Sequence, residues 1–438
     1  MRKLVLLACW FAGWMIQPTA DATADDDVPA TREEAIARLQ PYSGPSITGV
    51  DPSSMIGKVL CGYQGWFTAP GDGAGRGWTH YGRRGRFEPG YCTIDLWPDV
   101  SELDEDEKFA TPFRHADGSV AYVFSSYHRK TVLRHFQWMQ QYGIDGAFVQ
   151  RFATETRHPR NLNLCNTVLM HAREGANRFG RAYAVMYDLS GMQSGQIEQV
   201  MDDWRSLVDR MELGKDPAYL HQDGKPVVAV WGVGFNDGRQ YTLDECERLI
   251  RFLKHDPKYG GWTVMLGVPT GWRMLERDSV RDPRLHDVIR QADIVSPWTV
   301  GRYVSPRTAA EHADRFWKED IRWCEDHNLL YLPVVFPGFS WHNLKPEFPL
   351  DQIPRRKGQF LWSQYVHAQR VGATMIYQAM FDEIDEGTAI FKCTNHPPVG
   401  EQPFLTYEGL PSDYYLRLTG RGGRLLRGEI EATERPPE

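Results

Sequence analysis

Tyr142-Gly-Ile-Asp-Gly-Ala-Phe-Val-Gln150 and Val371-Gly-Ala-Thr-Met-Ile-Tyr-Gln-Ala379 share one pattern. Each reads as the end of a helix, a glycine stop, and a short apolar strand. Before the first, Val132, Phe136 and Met139 recur at helical spacing, and Gly143 ends the run. Before the second, Leu361, Tyr365 and Ala368 do the same, with Gly372 as the stop. Both strand segments are continuous apolar runs rather than alternating ones, as strands buried on both faces should be.

The same kind of run recurs along the chain. It appears at 58–66, 146–150, 182–187, 226–231, 263–267, 293–298, 331–336 and 374–379. Helical periodicity fills the gaps, for example Ala310, Ala313, Trp317, Ile321 and Cys324 ahead of the seventh run. Eight strand–helix units in series predict an α/β fold of the (β/α)8 barrel type. An open doubly wound sheet is the alternative, but no G-x-G-x-x-G follows the first strand.

The expected organisation places a secretory leader at 1–24, a lead-in with one short helix at 25–57, the barrel at 58–420 and a loose tail at 421–438. The leader rests on Arg2 and Lys3, the apolar run 4–16, and a small-residue cleavage site ending at Ala24. It implies a secreted or periplasmic protein. A long insertion, 67–130, follows the first strand. In a barrel such loops lie on the catalytic face, so this one is expected to wall a cleft.

Composition narrows the function. The chain has 438 residues, 42% hydrophobic and 24% charged, which is globular rather than disordered. A net charge of −7 argues against a nucleic-acid binder. No run beyond the leader is long and apolar enough for a membrane span. Cys61, Cys92, Cys165, Cys246, Cys324 and Cys393 are scattered, with no C-x-x-C pair and no clustered His, so no zinc site is expected. The 15 Trp, 19 Tyr and 20 Phe suit either a large core or flat faces offered to sugars.

The chemistry concentrates at Met380-Phe-Asp-Glu-Ile-Asp-Glu-Gly-Thr388, directly after the eighth strand. Four carboxylates, Asp382, Glu383, Asp385 and Glu386, fall within five residues. Crowded carboxylates repel, so at least one pKa should rise. A protonated carboxyl beside an ionised one is what glycosidic cleavage requires. Other strand ends supply candidate sugar-binding groups: Gln64, Trp66, Gln150, Arg151, Asp188, Trp231, Trp272, Trp298, Tyr303, Trp341, His342 and Gln378. Asp95 and Trp97 are candidates from the insertion, and Asp382 and Asp385 from the acidic run itself. Aromatic faces, amides and acids around one rim suit an uncharged, polyhydroxylated ligand.

The run Phe381-Asp-Glu-Ile-Asp-Glu-Gly-Thr388 resembles the F-N-E-W-H-E-G-T signature of glycoside hydrolase family 99, the endo-α-mannosidases and endo-α-mannanases. Val335-Phe-Pro-Gly-Phe339 is similar to that family's V-G-P-G-Y stretch. The resemblance implies a (β/α)8 barrel related to family 71 that acts on carbohydrate without metal or other cofactor. It implies that Glu383 is the base acting on the sugar's 2-hydroxyl and Glu386 the general acid. It also implies retention of configuration through a 1,2-anhydro sugar. Asp382, Ile384 and Asp385 stand where the signature has Asn, Trp and His, which changes the pocket wall and its charge. Two other functions compete. A non-catalytic carbohydrate-binding barrel would need the aromatics but not four crowded acids. A calcium- or magnesium-dependent hydrolase would use Asp382, Asp385 and Glu386.

Overall fold

The computed structural model describes residues 28–437; the leader expected at 1–24 lies outside the described residues. The barrel strands are β1 (Val59–Tyr63), β2 (Gly146–Phe152), β3 (Ala182–Asp188), β4 (Lys225–Trp231), β5 (Thr263–Pro269) and β6 (Ile294–Trp298). β7 comes in two pieces, Leu330–Tyr331 and Val334–Val335, and β8 is Ile376–Gln378. β1 to β6 pair in parallel, each with the next. The lower piece of β7 pairs with β6 and its upper piece with β8, which pairs with β1. The ring therefore closes through β7, as expected of a (β/α)8 barrel. Pro333, between the two pieces, has no N–H to give a ladder, but its carbonyl accepts from Tyr377 N at 2.9 Å.

Helices pack outside the ring. Arg129–Tyr142 ends at Gly143, and Pro159–Phe179 at Gly180, both in the left-handed conformation that glycine allows. Between them and the strands lies one continuous apolar core. The helix before β7 runs Pro306–His312, passes through a wider π-turn at Ala313–Trp317, and continues as Lys318–Asp326.

The lead-in holds a short helix, Arg32–Ala37, closed by a capping box between Thr31 and Glu34. Its extended remainder straps the lower end of the barrel. Val50 N reaches Gly180 O at 2.9 Å, and Gly57 N reaches Thr374 O at 2.7 Å. At the other terminus, the break expected at 420 falls inside a helix, Tyr414–Leu426. The Arg- and Gly-rich run Arg421-Gly-Gly-Arg424 gives this stretch the look of a tail. Yet Leu418, Gly422 and Leu425 are buried, and a side chain on Gly422 would strike Tyr365. The residues beyond this helix have no regular structure, and Trp362 Nε1 donates to Thr433 O there at 2.8 Å.

The insertion contributes a hairpin, Phe109–Arg114 with Val120–Val123, and a folded loop ahead of it. That loop packs an aromatic cluster of Tyr81, Phe87, Trp97 and Phe113. Among the described residues the six cysteines are free thiols, and no helix is long and apolar enough to cross a membrane.

Candidate active site

The acidic segment leaves β8 and folds straight back across the barrel mouth. Phe381 N donates to Gly62 O of β1, and Thr388 N and Ala389 N return to Glu383 O. Gly387 takes φ +63, where a Cβ would sit 2.9 Å from Ser340 N. Only glycine fits there without pushing back the loop after β7. From outside, the buried guanidinium of Arg355 donates to Gly387 O at 2.8 Å and Ala389 O at 2.7 Å.

The four carboxyls occupy four different environments. Asp382 is fully buried and turned into the wall, accepting from Gln64 N and Gly65 N, both at 2.8 Å. Burial pushes it up to about 7 against those two donors. Glu383 is 4% exposed. One of its oxygens accepts from Gln64 Nε2 at 2.6 Å and the other from Thr388 Oγ1. Burial, then the charges of Glu386 and Asp385, hold it well above the usual carboxylate range, while its two donors favour the ionised form. Asp385 is buried and bonded to His80 Nδ1 at 3.1 Å.

Glu386 is the most exposed of the four, and its carboxyl has no hydrogen-bond donor among the described residues. Burial and the nearby Asp385 push it up to about 8; Lys345 opposes this and Asp188 adds to it. The pair is thus asymmetric. Glu383 has donors on both oxygens, which suits a carboxylate. Glu386 has none and lies beside another acid, which suits a proton.

Around this segment the strand ends divide by phase. Neighbours along a strand face opposite sides. Gln150 faces inward, donating to Tyr377 OH at 2.9 Å. Trp231 and Trp298 meet edge-on with centroids 5.6 Å apart, and Trp298 reaches Tyr377 at 6.3 Å. Asp188 lies near enough to raise both Tyr377 and Glu386. Trp66 stacks on His80 and on Phe152 of β2. Trp341 carries Lys345 over its ring at 4.2 Å, and the same lysine acts on Glu386. Gln64, Trp66, Gln150, Asp188, Trp231, Trp298 and Trp341 are therefore brought toward the glutamates. Buried atoms without partners gather here: Trp66 Nε1, Trp231 Nε1, Trp341 Nε1, Gln64 Oε1, Gln150 Oε1 and Asp385 Oδ1.

Other candidates point elsewhere. Arg151, next to Gln150, must face out, and it is buried in an ion pair with Asp203 and a bond to Asn166. Gln378, next to Tyr377, accepts from Tyr365 OH of the helix behind it at 2.8 Å. Tyr303 is buried against the same helix and bonds Gln364. Trp272 packs edge-on against Trp323 of the helix before β7. Trp97 belongs to the insertion's own aromatic cluster.

Asp95 is fully buried and acts as a brace. It accepts from Ser340 Oγ, His342 N and Asn343 N, while its own N–H donates to Ile384 O at 3.0 Å. His342 is held in its own loop, with Nδ1 2.6 Å from Phe348 O. Thr388, Lys345, Tyr377 and His80 were not among the sequence candidates. Thr388 closes the acidic run and is legible in it, but nothing local in the sequence marks the other three.

Among the described residues no three His, Cys, Asp or Glu side chains converge as a metal ion would need. Asp382 and Asp385 are turned into separate bonds.

The model of glycosyl hydrolase family 99 matches residues 303–426. That stretch contains β7, β8 and the whole acidic segment. A solved family 99 endo-α-mannosidase from Bacteroides thetaiotaomicron, in complex with bis-tris-propane, shares the fold. Its TM-score is 0.61 at 17% identity, over 86% of this chain and 99% of that one. A second structure of the endo-α-mannosidase from that organism gives 0.58 at 18% identity, over the same shares. A glycoside hydrolase-like protein gives 0.52 at 12%, over 89% and 98%. The comparison with curated protein sequences gave no match. The resemblance read from the acidic run is borne out to this extent: the family 99 model matches the stretch that carries that run, and the fold is that of the solved family 99 endo-α-mannosidases.

Proposed function

We propose that this family 99-like barrel cleaves an α-linked glycan with retention of configuration, using Glu383 and Glu386. The observation that carries the proposal is the asymmetry of the pair. Glu383 takes the proton of the sugar's 2-hydroxyl, and that oxygen attacks C1 to form a 1,2-anhydro ring. As the glycosidic bond breaks, Glu386 gives its proton to the departing oxygen. Water, deprotonated by Glu386, then opens the anhydro ring at C1, and the 2-oxygen regains its proton from Glu383. No metal takes part in any of these steps.

The α-linkage and the retention rest on the signature; the positions of donors and charges support the division of roles. The unpartnered indole and amide atoms around the mouth support a ligand rich in hydroxyls, since buried polar groups left alone are costly. The reading includes export through a leader at 1–24, which predicts a mature chain beginning at Asp25.

The test is turnover of defined α-linked oligosaccharides with the product anomer read by NMR. Glu386→Gln keeps the shape but has no proton to give. It should lose about 10²–10⁴-fold in rate, the usual contribution of general acid catalysis, and still bind substrate. Wild-type rates in that variant, or an inverted product from the wild type, would refute the mechanism.

A further inference from the structure

We propose that His80, supplied by the insertion after β1, contacts the substrate and sets specificity, presenting its Nε2 edge to a ring hydroxyl of an uncharged sugar beside Glu386. The inference rests on the hydrolase reading above and extends it to a residue outside the acidic run.

His80 is fixed on three sides. Trp66 covers one face of its ring, with centroids 3.8 Å apart and planes within 4°. Its Nδ1 lies 3.1 Å from Asp385 Oδ2. A carboxylate oxygen accepts, so Nδ1 carries the hydrogen, and in the neutral ring Nε2 is left as an acceptor. Its backbone is pinned as well: His80 O accepts from Thr93 Oγ1 at 2.6 Å, and the preceding Thr79 O from Thr68 N at 3.3 Å.

What remains free is one edge. The side chain is 30% exposed, and Nε2 has no partner among the described residues. With one face under Trp66, the ring offers sugar an edge rather than a platform. Its place follows from Asp385, which sits between Glu383 and Glu386 and acts on both.

The backbone gives a second, independent sign. His80 has φ +61, a left-handed conformation that side chains other than glycine adopt rarely. It persists only where the surroundings over-determine it, as they tend to at ligand sites. Here that conformation delivers the imidazole to Asp385.

The decisive variant is His80→Asn. Asparagine tolerates the left-handed backbone and keeps a donor near Asp385, but it lacks the Nε2 edge. On an α-linked oligosaccharide that the wild type cleaves, kcat/KM should fall about tenfold, the size of one hydrogen bond. The wild type should also discriminate against one monodeoxy analogue of that oligosaccharide, and His80→Asn should not. Equal losses on the parent and on every analogue would make His80 a strut, and an unchanged kcat/KM would remove it altogether. Independently, a crystal of Glu386→Gln with the oligosaccharide should place a hydroxyl within hydrogen-bond reach of Nε2; a sugar seated elsewhere overturns the assignment. A wild-type chain that cleaves no α-linked glycan would defeat the hydrolase reading, and this inference with it. A cleaving wild type beside an indifferent variant would defeat the inference alone.

Discussion

Thr388 and Gln64 hold the two oxygens of Glu383. Hydrogen bonds to a carboxylate favour its charged form. Thr388→Val removes one donor at nearly constant volume. The Glu383 pKa should then rise, so the acid limb of the pH–rate profile moves to higher pH and the rate below it falls. A pH profile of kcat/KM checks this, and an unmoved acid limb would separate Thr388 from the base. Glu386 works in the opposite sense. It must be protonated, and burial beside Asp385 lifts it to about 8, so activity should decline as pH rises through about 8. At this scale the sequence was half legible. The acids stood out because they crowd one short run after a strand. Asp385's partner did not, because His80 lies 305 residues away along the chain. Two of the candidates that point away from the mouth, Arg151 and Gln378, do so for one reason. Gln150 with Arg151, and Tyr377 with Gln378, are adjacent pairs of which only one member can face the axis, and the run of apolar letters does not show which.

The loop that carries the glutamates is held from both sides, by elements far apart in sequence. Asp95 ties it to the residues after β7. Arg355 clamps it from behind, its guanidinium also lying over Tyr407 and Tyr415 at 4.9 and 4.5 Å. Arg355→Met keeps the apolar contact but leaves the carbonyls of Gly387 and Ala389 without these donors in a dry site. Loss of bonds from a charged donor to buried acceptors should cost roughly 2–4 kcal/mol, read as a lowered midpoint in urea unfolding. An unchanged midpoint would mean water replaces the guanidinium. The eight strands and their order were readable from the spacing of apolar runs. The brace at Asp95 was not, since an acid in a glycine- and arginine-rich insertion looks like a surface residue until the barrel folds beneath it.

For the molecule as a whole, the acidic mouth sets a direction for stability against pH. In the unfolded chain these carboxyls ionise near their ordinary values, about 4. In the fold, Asp382 and Glu386 keep their protons up to about 7 and about 8. Between those limits these two acids bind more protons in the native state than in the unfolded one, so their contribution to stability falls as pH rises from about 4 to about 8; buried His135, His171 and His312, held down to about 3, 4 and 3, act in the opposite sense below about 6.5. Above that value the histidines are neutral in both states, so the melting temperature should fall from pH 7 to pH 8. Glu386→Gln should flatten the upper part of that slope, because the amide does not titrate. A melting temperature that rises over this interval would contradict the protonation of the cluster.

The divided seventh strand has a mechanical consequence. At the other staves-and-hoops joints of the barrel the ladder runs over three to seven paired residues, but at β7 two residues face one neighbour and two face the other. The hoop is thus spliced, and the splice lies directly under the stretch that leads to Ser340 and Trp341. A spliced hoop unzips there first. In native-state hydrogen exchange, the amides of Leu332, Val334 and Val335 should lose protection ahead of those in β2 to β5, so that the mouth loosens while the far wall stays shut.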